Sequence, residues 1–180
     1  MSIKSRVIAG KYKSRQLLTL FDEHTRATKD RVKEAMFSAI GSDIINMTVL
    51  DLFAGTGALG IEALSRGAKK AIFCENSVQT LQILRKNLEI VEEEIHLLNG
   101  DYLLKIKEIA PGSIDIVFVD PPYTFDINDI VDTILQSQIL KDNYIIILET
   151  DKETLLSLND VKIRKYKYGL THLTIIRGVL

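Results

Sequence analysis

Apolar residues along this chain switch repeatedly between a strand-like period and a helix-like one. Arg6-Val7-Ile8-Ala9-Gly10 and Arg15-Gln16-Leu17-Leu18-Thr19 flank a polar turn and predict a short β-hairpin or extended arm. Val32, Ala35, Met36, Ala39 and Ile40 then recur at helical spacing. Thr28 is the expected N-cap of that helix, Asp30 favours its first turn and Gly41 ends it. Thr48 to Phe53, Ala71 to Glu75, Ile95 to Leu98, Ile114 to Val119 and Tyr144 to Leu148 read as strands. Helical patterns at Ile61 to Arg66, Val78 to Leu88 and Ile127 to Leu135 lie between them, and a short helix is expected over residues 151 to 158. Val161 to Tyr168 and Leu173 to Arg177 alternate around Gly169, which predicts a terminal antiparallel pair. Strands alternating with helices and closing on a hairpin make a doubly wound α/β sheet. The expected organisation is an arm over residues 1–25 and one domain over residues 26–180.

Two strand ends carry candidate chemistry. Asp120-Pro121-Pro122-Tyr123 follows the apolar run Ile114 to Val119. Two prolines cannot extend a strand, so the chain must leave the sheet stiffly with Asp120 at the carboxyl end. Ligands of open α/β sheets bind at that end. A carboxylate and a proline carbonyl can accept the two hydrogens of a planar NH₂ group, and a tyrosine can stack on its ring. The ordinary alternative is a Pro-Pro turn with a solvated Asp and no chemistry.

The strand Thr48 to Phe53 runs into Ala54-Gly55-Thr56-Gly57-Ala58-Leu59-Gly60 and then a helix, the order of a nucleotide-binding unit. Gly55, Gly57 and Gly60 formally match the dinucleotide pattern, and many βα turns are glycine-rich. Asp51, in the strand's last turn, would repel a pyrophosphate and attract a cationic amino group. Glu75 ends the next strand, 20 residues after Gly55, where a carboxylate can accept both ribose hydroxyls. That place suits NAD and an adenosyl ligand equally. Asp101, after the third of these strands, can accept from an adenine amino group or cap the helix that begins at Tyr102.

The net charge of −1 conceals an asymmetry: residues 1–40 hold nine Lys/Arg against four Asp/Glu, a net +5, so the rest carries −6. Lys4, Arg6, Lys11, Lys13 and Arg15, interleaved with Tyr12, suit phosphate contact by the arm, against the commoner fate of a solvated surface. Arg26 and Arg31 at the helix entrance read, on pattern alone, as ordinary surface charges. The single Cys74 excludes an internal disulfide and fits a reducing cytoplasm, as a small core residue rather than a nucleophile. His24, His96 and His172 lack ligand-like spacing, so no metal site is expected. Neither a long apolar span nor the apolar core of a signal peptide is present.

With both motifs placed, the chain resembles the S-adenosylmethionine-dependent methyltransferases of the Rossmann-like, seven-stranded class I. Asp51-Leu52-Phe53-Ala54-Gly55-Thr56-Gly57 resembles their cofactor loop, and Asp120-Pro121-Pro122-Tyr123 resembles the signature of enzymes that methylate exocyclic or amide nitrogens. Arg6-Val7-Ile8-Ala9-Gly10, the run Arg26-x-Thr28-x-Asp30-Arg31-Val32-Lys33-Glu34 and the stretch Gly57 to Gly67 narrow the likeness. They are similar to the family that methylates N2 of a guanine in bacterial 16S ribosomal RNA. Ala27-Thr28-Lys29 departs from the family's usual Pro-Thr-Thr at the helix entrance.

The resemblance implies a seven-stranded, mostly parallel sheet with helices on both faces and a C-terminal antiparallel hairpin. It implies S-adenosylmethionine as cofactor, held by Asp51, Phe53, Gly55, Gly57, Glu75, Asn76, Asp101 and Tyr102. It implies Asp120, Pro121 and Tyr123 as the catalytic group, and Lys4, Arg6, Lys11, Lys13, Arg15, Arg26 and Arg31 as RNA contacts. It implies ribosomal RNA as the partner; a cytoplasmic protein with no membrane span and no metal is expected from the residues, and a monomer because nothing suggests an obligate interface. The alternatives are N6-adenine methylation of DNA or RNA, a protein-amide methyltransferase, an NAD-dependent oxidoreductase and a non-catalytic ribosome-assembly factor.

Overall fold

A computed structural model of the chain describes residues 3–19, 26–122 and 124–179. Tyr123 and the side chains of Lys4 and Arg26 lie outside the described residues. The chain opens with β1 (Ile3–Arg6) and β2 (Gln16–Thr19), an antiparallel pair forming its own small sheet. Next come α1 (Arg26–Ile40), β3 (Thr48–Asp51), α2 (Ala58–Ser65), β4 (Lys70–Glu75), α3 (Val78–Leu88) and β5 (Glu94–Asn99). The second half contains α4 (Tyr102–Lys105), β6 (Ile114–Val119), α5 (Ile127–Gln136), β7 (Leu140–Thr150), β8 (Val161–Tyr168) and β9 (Thr171–Val179).

The main sheet has seven strands in the order β5-β4-β3-β6-β7-β9-β8. β3 to β7 run parallel, and β9 pairs antiparallel with both β7 and β8. Successive residues of a strand face opposite sides of the sheet, and both sides are filled here. Val49, Ile116, Phe118, Ile147 and Ile175 join α1, α2, α3 and the β1–β2 hairpin in one core. Leu50, Val117, Val119, Ile146 and Ile176 pack with α4 and α5 in the other. This is the class I methyltransferase fold, with its C-terminal antiparallel hairpin.

Chain order reverses between β3 and β6. From β3 the chain moves outward through β4 and β5, then returns and builds β6, β7, β9 and β8 on the other side. Loops leaving β3 and β6 therefore diverge and open a crevice at the carboxyl edge.

Two expectations fail locally. Residues 151–158 form no helix. The Thr150 hydroxyl donates to the Lys152 carbonyl at 2.7 Å, a local bond that competes with helical pairing. Thr28 does not cap α1, which already begins at Arg26: Arg26 and Ala27 are strong helix formers and extend it backward.

Candidate active site

The loop after β3 is locked from below. Asp51 is 2 % exposed and accepts the Gly60 N–H at 2.9 Å, tying the strand to the first turn of α2. Burial pushes its pKa up to about 7, opposed by the Gly60 bond and reinforced by the charges of Asp120 and Glu75. Gly57 caps α2 in the left-handed region at φ 86°. A Cβ on Gly60 would lie 2.2 Å from the Phe73 ring, so only glycine lets α2 press onto β4.

Glu75, at the end of β4, accepts the Gly55 N–H at 2.8 Å and the Ser77 N–H at 2.7 Å, one on each carboxylate oxygen. A carboxylate has about four acceptor positions, so two stay open for the hydroxyls of a ribose. Asp101 caps α4 by accepting the Leu103 N–H at 2.8 Å on one oxygen. The Gly100 N–H donates to the Glu75 carbonyl at 3.0 Å, which keeps the ends of β4 and β5 together. Asn76 is exposed beside them.

An aromatic cluster stands on the same edge. The Phe53 ring lies 5.0 Å from Tyr102 and 5.5 Å from Phe125, and Tyr102 lies 6.0 Å from Phe125. Tyr102 is buried, whereas Phe125 is 40 % exposed. Phe125 escaped the sequence reading. The signal was its place two residues past Tyr123, where the Phe125 N–H donates to the Pro122 carbonyl at 3.1 Å and closes a turn.

Asp120 follows β6, the strand beside β3. Asp51 sits level with Phe118, and the Leu52 N–H donates to the Phe118 carbonyl at 3.0 Å, so Asp120 stands two residues above Asp51. It is exposed while Pro121 is buried, so the proline anchors the turn. Asp126 caps α5 by accepting the Asn128 N–H at 2.8 Å, fixing the loop's far end.

The site is acidic. Asp120 and Glu75 add to the effect of burial on Asp51; burial first, then the charges of Glu75, Asp101 and Asp51, push the Cys74 thiol up to about 12. That thiol is no nucleophile at neutral pH. A cationic sulfonium ligand with an adenosine suits these carboxylates, Glu75's open acceptors and the aromatic cluster, whereas a dinucleotide's pyrophosphate would be repelled. A cleft of about 910 Å³ at the opposite edge, lined by Asp115, Lys141 and Arg177, includes none of these residues.

The basic residues of the hairpin have different fates. Arg6 pairs with Asp30 at 3.2 Å. Lys11 bridges Glu93 at 2.8 Å and Glu92 at 3.0 Å, and those bonds raise its pKa above the ordinary value. Lys13, Arg15 and Arg31 are exposed. Tyr12 is buried: its hydroxyl donates to Glu93 at 2.5 Å and accepts the Glu92 N–H at 2.9 Å. It packs the hairpin down instead of offering a face to a base.

Two residues that the sequence reading overlooked tie this hairpin to α2 and to the glycine loop after β3. Glu62 on α2, wholly buried, accepts the N–H groups of Ile8 at 2.8 Å and Ala9 at 3.0 Å. It also pairs with Arg66 at 2.8 Å and with buried Lys33 at 3.4 Å. Asn87 on α3 donates to the carbonyls of Leu18 at 3.0 Å and Thr56 at 2.8 Å. The available signal was polarity: Glu62 interrupts the otherwise apolar Ala58–Leu64 stretch.

The sequence model of a family described as Conserved hypothetical protein 95 matches residues 5–177. The chain belongs to this family. It is 38% identical over 154 residues to the ribosomal RNA small subunit methyltransferase D of Haemophilus influenzae, covering 82% of this chain and 79% of that protein. A Bacillus subtilis protein with a provisional rRNA-methyltransferase name is 34% identical over 180 residues, covering 96% of this chain and 98% of that protein. Among solved structures, an Escherichia coli protein with a provisional methyltransferase name superimposes with a TM-score of 0.85 at 28% identity. That match covers 98% of this chain and 99% of the other.

Proposed function

We propose that this family member transfers a methyl group from S-adenosylmethionine to the exocyclic N2 of a guanine in small-subunit ribosomal RNA. The observation that carries the reading is the adjacency of two strand ends at the switch point. The Gly55–Gly57 loop, tied to Glu75, leaves β3, and Asp120-Pro121 leaves the neighbouring β6. When bound, S-adenosylmethionine supplies a methyl group on a sulfonium. Gly55 and Gly57 would hold its methionine portion, Glu75 would accept from the ribose, and Phe53, Asp101 and Tyr102 would flank the adenine, with Asn76 beside them.

The guanine amino group is a poor nucleophile because its lone pair is delocalised into the ring. A base swung out of its stack presents N2 to the Asp120 carboxylate and the Pro121 carbonyl, with Tyr123 stacked on the ring. Two acceptors hold the hydrogens and aim the lone pair at the methyl carbon. With the donor bound and its sulfur leaving as the thioether of S-adenosylhomocysteine, Asp120 would stabilise the positive charge developing on nitrogen and then take its proton. The exposed Lys13, Arg15 and Arg31, with Lys4, Arg6 and Arg26, hold RNA phosphates. The same reading makes the protein a cytoplasmic monomer. No helix among the described residues is long and apolar enough to cross a membrane.

The test is transfer of label from methyl-labelled S-adenosylmethionine to small ribosomal subunits from cells lacking the protein. The expected product is N2-methylguanosine at one site. N6-methyladenine would replace the target, and no label in RNA would overturn the reading.

A further inference from the structure

Residues 161–180 carry five Lys/Arg and no Asp or Glu, while residues 41–160 carry nine against twenty. The cofactor carboxylates belong to β3, β4 and β5, and the basic residues to β8 and β9, beyond Asp120 on the far side.

β8 is the edge strand, and it points its carboxyl end the same way as β6. Cross-strand register gives its height. Val119 pairs with Leu148, Leu148 with Thr174, and Thr174 with Lys165. Tyr166, one residue on, therefore lies in the row of Asp120, three strands away, or about 14 Å at ~4.8 Å per strand. Lys167, Tyr168 and the hairpin tip with 86 %-exposed Leu170 stand above that row.

The side chains there form a platform. Tyr166 and Tyr168 are half-buried against the α1 core, with rings 6.4 Å apart and only 19° from parallel. Lys162, Arg164, Lys165 and Lys167 are exposed along the strand, and Lys165 pairs with Glu153 at 3.1 Å. Arg177 on β9 donates to Asp43 at 2.6 Å, just past the carboxyl end of α1, near the sheet's amino edge. The amino half of α1, with exposed Arg31, therefore rises toward the site on the tyrosines' face. Lysines on an edge strand also guard against strand pairing between molecules, but that purpose does not call for a stacked tyrosine pair level with the reacting group.

We propose that β8 is a second RNA contact: a few single-stranded nucleotides next to the target guanine run from Asp120 across the tops of β7 and β9. Their phosphates follow the exposed edge of β8, meeting Arg164 on the tyrosines' face of the sheet and Lys167, which projects from the opposite face, and a base rests on Tyr168. The acidic site repels phosphate, so the backbone needs a positive track outside it, and base stacking on aromatics tolerates any sequence. This inference rests on the ribosomal RNA reading above.

The test uses the full chain with Arg164→Gln/Lys167→Gln and, separately, Tyr168→Ala and Tyr168→Phe, against a small-subunit rRNA transcript and small subunits. Cofactor affinity should match wild type in each variant, and Tm in the Gln pair and in Tyr168→Phe; Tyr168→Ala removes a half-buried ring and should lower Tm, which Tyr168→Phe should restore. The Gln pair should flatten the salt dependence of RNA binding by about one in log–log slope, at roughly 0.7 per single-strand phosphate. KM for the subunit should rise about tenfold with kcat nearly unchanged. Tyr168→Ala should weaken RNA binding about tenfold, and Tyr168→Phe should restore it. Unchanged slope, affinity and KM in a wild-type-stable Gln pair would overturn the proposal. If wild type methylates no RNA yet its RNA binding still depends on β8, the contact stands and the methylation reading fails.

Discussion

The Glu75 carboxylate accepts the Gly55 amide hydrogen at 2.8 Å, making the acid at the end of β4 and the glycine turn after β3 a single rigid unit. Its other oxygen is held by Ser77, so the side chain is aimed before any ligand arrives. Hydrogen bonds to a charged group contribute about 1.5–3 kcal/mol each. Glu75→Ala should therefore weaken S-adenosylmethionine binding by roughly 10–100-fold. Calorimetric titration measures it, and unchanged affinity would show that another residue holds the ribose.

Asp51 should link cofactor binding to pH. Its folded pKa of about 7 lies above the ordinary carboxylate value, so the folded chain holds a proton that the unfolded chain has released. Stability from this group is full below about pH 4 and declines as pH rises toward 7. A cationic ligand favours the ionised form, so binding near pH 6 should expel a proton and tighten as pH rises to 8. Calorimetry in buffers of different ionisation heat should detect that proton, and Asp51→Asn should abolish it. Identical heats in every buffer would contradict the expectation.

Glu62 should matter for stability far more than a surface acid. Its loss leaves buried Lys33, whose pKa burial already lowers, without its main counter-charge and frees two hairpin N–H groups. Breaking a buried pair costs about 3–5 kcal/mol, so Glu62→Ala should lower Tm by roughly 10 °C in thermal melts. A shift within a degree or two of wild type would mean that the hairpin is not held through Glu62.

The hairpin's basic residues should not contribute equally. Lys11 is engaged by Glu92 and Glu93, whereas Lys13 and Arg15 are exposed. Lys13→Gln/Arg15→Gln should flatten the salt dependence of RNA binding, and Lys11→Gln should change it little. Equal effects from all three would show that RNA displaces Lys11 from its acids.

Strand positions were legible because parallel strands buried on both faces leave continuous apolar runs, as in Ile114 to Val119. The longer extent of β7 was not, since Lys141, Asp142 and Asn143 interrupt its apolar run where the register with β6 shifts, before pairing resumes at Ile145. The glycine turn and Glu75 announced themselves by residue type and spacing. The Glu75–Gly55 bond, Asp51's burial and Phe125's place beside Phe53 arise only when distant segments meet. Tyr12 misled for the same reason: an aromatic between lysines reads as exposed until its partners, Glu92 and Glu93, come from 80 residues away.

The central claim is a division of labour, with the β3–β4 end holding the cofactor and Asp120 acting on the base. Asp120→Ala tests it most directly when cofactor affinity and single-turnover methyl transfer to small subunits are measured on the same preparation. The expected result is affinity within a few-fold of wild type and transfer reduced by at least two to three orders of magnitude, the loss typical of removing one electrostatic stabiliser. Lost cofactor binding, or transfer that persists near the wild-type rate, would contradict it.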